Sequence, residues 1–153
     1  KGVIKAASKS SRQTTEGLVG SYIHGEGRVG VLVEINCETD FVARTDAFKE
    51  LARNIAMQVA AANPMYLRAE DVPENEIARE KELYREILLK EGKPENMIDK
   101  IAESKLQKYF SDVCLYNQPF IKDDKKTVEQ VIQEIIATVG ENIQIKRFCR
   151  FAL

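Results

Sequence analysis

An alternating apolar segment runs directly into a polar turn in Val29-Gly30-Val31-Leu32-Val33-Glu34-Ile35-Asn36-Cys37-Glu38-Thr39-Asp40-Phe41-Val42. Four β-branched residues recur at every second position and form one face of a predicted strand: Val29, Val31, Val33 and Ile35. The other face holds Gly30, Leu32, Glu34 and Asn36. Because one face is wholly apolar, a second layer of structure must cover it.

The turn after this strand contains one phenylalanine, Phe41, whose environment has to be explained. The alternation ends at Cys37, and Glu38, Thr39 and Asp40 have side chains that bond nearby backbone groups and favour helix starts. Thr39 or Asp40 is therefore expected to cap a short helical turn that contains Phe41. Two interpretations are open: Phe41 projects into solvent, or it folds back onto its own core as a hydrophobic staple.

The flanking segments predict a hairpin and a helix. Residues 18–24 and 29–36 are separated by Gly25-Glu26-Gly27-Arg28, whose glycines permit positive φ, so they form an antiparallel hairpin with His24 at its tip. A helix then begins at Thr45-Asp46 and ends at Asn63-Pro64. Its core residues follow helical spacing: Phe48, Leu51, Ile55 and Val59.

Three more helices and a last strand follow. Residues 74–90 and 95–110 form a helical hairpin around Glu91-Gly92-Lys93-Pro94, where glycine ends one helix and proline opens the next. A loop at 117–120 and a polar turn at 122–126 precede a capping box at 127–130, whose helix ends at Gly140. The final strand, 143–153, has Ile143, Ile145, Cys149 and Phe151 at odd positions and Lys146, Phe148 and Arg150 at even ones.

These elements predict an α+β fold: a three-stranded antiparallel sheet with helices packed on one face and a projecting antiparallel helical hairpin. The basic segment 1–15 is predicted to be an N-terminal lead or linker, helical or flexible, and 16–153 a single core domain. The chain has 153 residues, a net charge of -1 and 44% hydrophobic residues, which is typical of one compact module. With neither an apolar run of about 18–20 residues nor a leader pattern, we expect an intracellular protein without a membrane partner.

The sequence contains few residues arranged for covalent chemistry. It has no Gly-x-x-x-x-Gly-Lys-Ser/Thr phosphate loop, no HExxH and no CxxC, and its three cysteines are widely spaced, which favours reduced thiols. Glu38 and Asp40 are better explained as helix caps than as an acid-base pair, and Cys37 lacks an activating cation. We therefore expect no catalytic residues, no metal and no cofactor.

Basic residues cluster near both ends of the chain, but they are a weak signal for nucleic-acid binding. Aromatic residues are sparse among them, and the net charge is slightly negative. We interpret them as solvated side chains, with no direct nucleic-acid partner expected: Lys1, Lys5, Lys9 and Arg12 at one end, and Lys146, Arg147 and Arg150 at the other.

The segment from Arg28 to Ala43 resembles the signature of bacterial-type elongation factor Ts. Other segments resemble that family in its order: Glu16-Gly17-Leu18-Val19 before Tyr22-Ile23-His24, Ala56-Met57-Gln58 before Pro64, Glu91-Gly92-Lys93-Pro94, Gln118-Pro119-Phe120 and Gly140-Glu141-Asn142-Ile143. Together they span nearly the whole chain, which makes a chance match implausible. The resemblance implies a short-form member that lacks the three-helix domain usually found before this point.

The resemblance further implies a guanine-nucleotide exchange factor for elongation factor Tu, the GTPase that delivers aminoacyl-tRNA. Such a factor makes and breaks no covalent bond, and it works in the bacterial cytosol or the equivalent organelle compartment. In the family, the aromatic residue of the Thr-Asp-Phe-Val motif enters an apolar pocket of the GTPase and displaces elements that hold magnesium and phosphate. Here that role falls on Phe41, with Thr39 and Asp40 fixing the turn and Val42 supporting the contact.

A second sheet face is expected to remain uncovered by helices. It is predicted to include Tyr22, Leu32 and Phe148, with Cys149 close to its symmetry mate or buried as an inert thiol. Long-form members of the resembled family contain two versions of this core, and only one is found here, so we expect a homodimer. Two other hypotheses stay open: a non-catalytic homodimeric protein-binding adaptor, and a thiol-dependent enzyme centred on Cys37.

Overall fold

The structure is a computed structural model that describes residues 2–153. These form two compact units, one comprising the chain up to Asn63 with Pro119–Leu153, the other comprising Pro64–Gln118. In chain order the elements are α1 (Gly2–Lys9), β1 (Glu16–His24), β2 (Val29–Cys37), α2 (Asp40–Ala43), α3 (Asp46–Ala62), α4 (Glu74–Lys90), α5 (Glu95–Val113), β3 (Pro119–Phe120), β4 (Asp123–Thr127), α6 (Val128–Val139) and β5 (Ile143–Ala152). The predicted α+β class is confirmed.

The first unit is built on a three-stranded antiparallel sheet in the order β1-β2-β5. β1 and β2 form the predicted hairpin, and Gly25 and Gly27 in its turn adopt φ of 63° and 89°. The central strand β2 buries the apolar face predicted from its alternation, with Val31, Val33 and Ile35 at most 2% exposed. We call this the covered face of the sheet, and the opposite side the open face.

Helix α3 packs against β1 and β2 and begins and ends where the sequence predicts. The Thr45 hydroxyl accepts a hydrogen bond from the backbone N–H of Phe48 at 3.3 Å, and Asn63 ends the helix in the left-handed conformation. The helix approaches β1 closely, since a Cβ added to Gly20 would lie 2.9 Å from the carbonyl oxygen of Ala52. Phe48 and Ile55 are fully buried in this layer.

Strand β5 departs from the simple alternation predicted for it. Glu34 pairs with Arg147 whereas Ile35 pairs with Ile145, so Lys146 is an extra residue in a β-bulge. Because side chains alternate between faces, one extra residue reverses their order along the rest of the strand. The prediction that all odd positions share a face is therefore wrong past the bulge: Phe148 and Arg150 lie on the covered face, and Cys149 and Phe151 on the open face.

Two other parts of this unit differ from the prediction. The expected polar turn at 122–126 is largely strand β4, which pairs with β3 in a small second sheet. The N-terminal lead is helical, but it is not outside the core, because Ala6 of α1 is 4% exposed and α1 packs on α6. The boundary between residues 15 and 16 stays a prediction.

The second unit contains the predicted antiparallel helical hairpin of α4 and α5. Between the two helices, Gly92 adopts a φ of 77° and the Lys93 N–H donates to the carbonyl of Leu88 at 3.1 Å. Helix α5 continues to Val113, beyond the predicted end at 110. The interior of this unit includes a cluster of Val72, Leu106, Phe110 and Cys114.

Candidate functional site

The turn after β2 is a four-residue helix, α2, whose cap is Thr39. Thr39 has extended backbone angles, and its hydroxyl accepts a hydrogen bond from the N–H of Val42 at 3.3 Å. This is the geometry of an N-cap, which satisfies one of the unpaired donors at a helix start. Of the two predicted caps, Thr39 is thus the one that the structure uses, and Asp40 is the first helical residue.

Phe41 projects from α2 into solvent. Its side chain is 79% exposed, whereas the next residue, Val42, is 6% exposed and belongs to the core. The staple interpretation of Phe41 is therefore wrong, because a staple would be buried against its own chain. The turn presents one large apolar ring outward and is anchored by the side chain beside it.

The Asp40 carboxylate pairs with the Arg44 guanidinium one helical turn later, at 3.0 Å. Both side chains are mostly exposed, so this pair contributes less than about 1 kcal/mol to stability. Asp40 and Arg44 thus place one negative and one positive group on the same short helical turn as Phe41 without fixing the fold.

A glutamate far along the chain holds this turn, and no local sequence pattern singles it out for that role. Glu141, at the junction of α6 and β5, accepts hydrogen bonds from the N–H groups of Glu38 and Thr39 at 3.2 and 3.0 Å. Its other oxygen accepts from the Thr39 hydroxyl at 2.7 Å. In return, the Glu38 carboxylate accepts from the N–H of Asn142 at 2.6 Å. The resemblance of residues 140–143 to the family was the only signal for this contact.

Cys37 lies at the end of β2 and is fully buried. Its thiol donates to the carbonyl of Thr39 at 3.2 Å. Burial, with a smaller contribution from the negative charge of Glu141, raises the pKa of the Cys37 thiol to about 11. At neutral pH the group is therefore a protonated thiol rather than the thiolate that nucleophilic catalysis needs. The thiol-dependent enzyme has no support in this geometry.

The open face of the sheet carries exposed apolar side chains, but they are not the set predicted for it. Leu32 and Cys149 face each other across β2 and β5 and are both exposed. This agrees with the prediction for Leu32, whereas the interpretation of Cys149 as a buried inert thiol is wrong. Tyr22 and Phe148 instead lie opposite Val31 and Val33, so they belong to the covered face. The remaining exposed apolar side chains of the open face come from the neighbouring positions Val19, Ile23 and Phe151.

Tyr22 makes polar contacts at the edge of the covered face. Its hydroxyl lies 2.8 Å from Nδ1 of His24, and the Arg53 guanidinium lies 5.9 Å from its ring centroid. The distance to Arg53 is near the outer limit for a cation–π interaction. These contacts fix the tyrosine within its own chain.

Within residues 2–153, no group of three or more histidine, cysteine, aspartate or glutamate side chains is arranged to hold a metal ion. Across the same residues, none of the helices is both long enough and apolar enough to span a bilayer.

Comparison with known proteins identifies relatives over the full chain. The family model described as Elongation factor TS matches residues 4–153. The elongation factor Ts of Heliobacterium modesticaldum is 56% identical over 153 residues, which are all of this chain and 71% of that protein. The protein of the same name from Carboxydothermus hydrogenoformans is 58% identical, with 70% of its length covered. That of Thermosipho melanesiensis is 54% identical, with 78% covered.

Proposed function

The chain belongs to the elongation factor Ts family, and from that membership we propose that it promotes release of GDP from elongation factor Tu. Membership makes it a translation elongation factor, with a role in protein biosynthesis. The proposal adds the partner and the action: binding to the GTPase lowers its affinity for nucleotide, and no covalent bond is made or broken.

One observation carries this proposal: Phe41 is 79% exposed on a helical turn whose neighbouring residues are fixed. A phenylalanine side chain that is mostly exposed contributes little to the stability of the free protein, whereas burying it in a partner's pocket stabilises a complex by about 1.5 to 3 kcal/mol. That energy corresponds to roughly a 10- to 150-fold change in an equilibrium constant. In this proposal the ring enters an apolar pocket of the GTPase, and Thr39, Asp40 and Val42 hold or flank it.

The action requires differential binding. A factor that bound the nucleotide-bound and empty GTPase equally would shift no equilibrium, so Phe41 must fit the empty form better. By linkage, GDP must weaken binding of the factor by the same ratio as the factor weakens binding of GDP. One ring is too small to account for the whole effect, and a wider contact surface is needed to place it.

Release of labelled GDP from purified elongation factor Tu is the measurement that tests the proposal. Phe41→Ala is expected to slow factor-stimulated release by at least about tenfold, because the buried ring contributes at least that factor to binding. The melting temperature should stay nearly unchanged, since the side chain makes little contact with its own chain. The control is Ile4→Ala, which removes another exposed apolar side chain, 75% exposed on α1.

Wild-type release rates with Phe41→Ala would contradict the role of this residue. If the unmodified protein bound elongation factor Tu without accelerating release, it would be a non-catalytic adaptor instead.

We further propose that two copies associate through the open face of the sheet. Val19, Ile23, Leu32 and Phe151 are 50–76% exposed there, and isolated chains rarely leave so many apolar side chains on one sheet face. A second copy would present the same face, as a two-fold dimer requires.

A further inference from the structure

The Phe41 turn is held by two glutamates that each bond to the other's backbone segment. Glu141 accepts from the N–H groups of Glu38 and Thr39 and from the Thr39 hydroxyl. Glu38 accepts from the N–H of Asn142, and its carboxylate also lies 3.6 Å from the Arg12 guanidinium. We call this arrangement the Glu38–Glu141 brace. It joins residues that are more than one hundred positions apart in the sequence.

The Glu38–Glu141 brace determines how the Thr39 hydroxyl is oriented in the helix cap. A hydroxyl has one proton, and that of Thr39 is directed to Glu141, which leaves its lone pairs for the N–H of Val42. Without Glu141 the hydroxyl would rotate freely, and the cap would hold α2 for only part of the time. A four-residue helix has too few internal hydrogen bonds to be stable alone, so it depends on such contacts.

The position of Glu141 is not explained by the stability of α6. It follows Gly140, where α6 ends, and a negative charge near a helix C-terminus is unfavourable. The three donors of the turn offset that cost. Asn142, which is 2% exposed, fixes the same junction by donating to the carbonyls of Ser10 and Arg12.

We propose that Glu141 is a positioning residue for nucleotide exchange: it holds α2 so that Phe41 already has its binding orientation in the free factor. This rests on the proposed function of Phe41. A loop that is already ordered in the free protein does not lose conformational entropy when it binds. Loss of the brace should therefore weaken the contribution of Phe41 to binding although the phenylalanine ring itself is unchanged.

The experiment is a double-mutant cycle on stimulated GDP release, with Glu141→Ala, Phe41→Ala and the double variant. Glu141→Ala is expected to slow release by about three- to thirtyfold, the range for losing a helix cap. Glu141→Gln keeps one carbonyl oxygen for the two N–H donors and should recover part of the rate. In the Phe41→Ala background, Glu141→Ala should have no further effect, because a residue that acts through another loses its effect when that residue is absent.

Glu134→Ala is the matched control, since it removes an exposed glutamate of α6 that pairs with Lys126 rather than with the turn. It should leave release unchanged. Hydrogen exchange of the Val42 amide should accelerate in Glu141→Ala and stay normal in Glu134→Ala.

The possible failures are distinguishable. If Phe41→Ala slows release but Glu141→Ala does not, the positioning role is overturned and the function of Phe41 stands. If the two effects add in the double variant, Glu141 acts independently of Phe41 and the inference is likewise overturned. If the Phe41→Ala variant stimulates GDP release from elongation factor Tu at the normal rate, the proposed function of the turn fails. The hydrogen-exchange comparison still reports whether the brace orders α2. Should Glu141→Ala fold poorly, the cycle is run with Glu141→Gln.

Discussion

Asp40 and its neighbour Phe41 are both exposed, yet their proposed contributions to stimulated GDP release differ in size. The Asp40 carboxylate pairs with the exposed Arg44 guanidinium, whereas the cap is supplied by Thr39. We therefore expect Asp40→Ala to slow GDP release less than Phe41→Ala and to change the free energy of unfolding by less than about 1 kcal/mol. Chemical denaturation and the exchange assay measure the two effects.

Arg44→Ala is the control for Asp40, because it removes the same ion pair from the other side. Equal effects of the two variants would show that the pair orients the turn. A loss with Asp40→Ala alone would assign Asp40 a direct contact with the GTPase. Wild-type release with Asp40→Ala would contradict any role for this side chain.

Cys37 and Cys149 differ strongly in exposure, and their reactivity tests whether the turn after β2 stays closed. Cys37 is fully buried with a pKa raised to about 11, and Cys149 is exposed on the open face. In chain diluted below the concentration at which open faces would associate, iodoacetamide at pH 8 should therefore modify Cys149 and leave Cys37 unmodified. Peptide mass spectrometry gives the extent at each site. Modification of Cys37 at the rate of Cys149 would show that the turn opens readily and would revive thiol chemistry there.

At the scale of elements, local signals located the helices well. Thr45, Thr127 and Gly140 mark helix ends through their own side chains or backbone angles, and the structure confirms each of them. The order of residues on β5 was not predictable in this way, because the bulge at Lys146 is set by pairing with β2. The contact of Glu141 with the turn is likewise not predictable from local sequence, since it joins distant segments.

The close packing of α3 on β1 gives a prediction about the sheet. Gly20→Ala should lower the free energy of unfolding by about 1 to 3 kcal/mol, because the new Cβ meets backbone atoms of Ala52 that cannot move independently. Urea denaturation measures the change. Gly30→Ala is the control, since its Cβ would meet only the flexible end of Ile23 at 3.2 Å. Equal losses in the two variants would show that the position of α3 is not what requires a glycine at residue 20.

At the scale of the whole molecule, the composition of the open face was only partly predictable. The alternation of β2 places Leu32 there. The simple alternation of β5 places Cys149 with the buried Ile143 and Ile145, whereas the bulge turns it to the open face, where it is exposed. Tyr22 and Phe148 lie on the covered face instead, because the pairing of β1 and β5 with β2 decides which side chains share a face, and the sequence alone does not give that pairing. The register replaces them by Val19, Ile23 and Phe151, so the face is more apolar and less aromatic than predicted.

The apolar open face predicts the oligomeric state of the chain in solution. If two copies associate through it, sedimentation equilibrium should give the mass of a dimer above about 10 micromolar, which requires a binding free energy near 7 to 8 kcal/mol. Leu32→Arg should give a monomer, because it places a charge among Ile23, Cys149 and Phe151 where the two sheets would meet. Ile4→Arg adds the same charge on α1 and should leave the dimer intact. A wild-type monomer at that concentration would remove the dimer proposal, and the exchange assay would then show whether a single open face is sufficient for function.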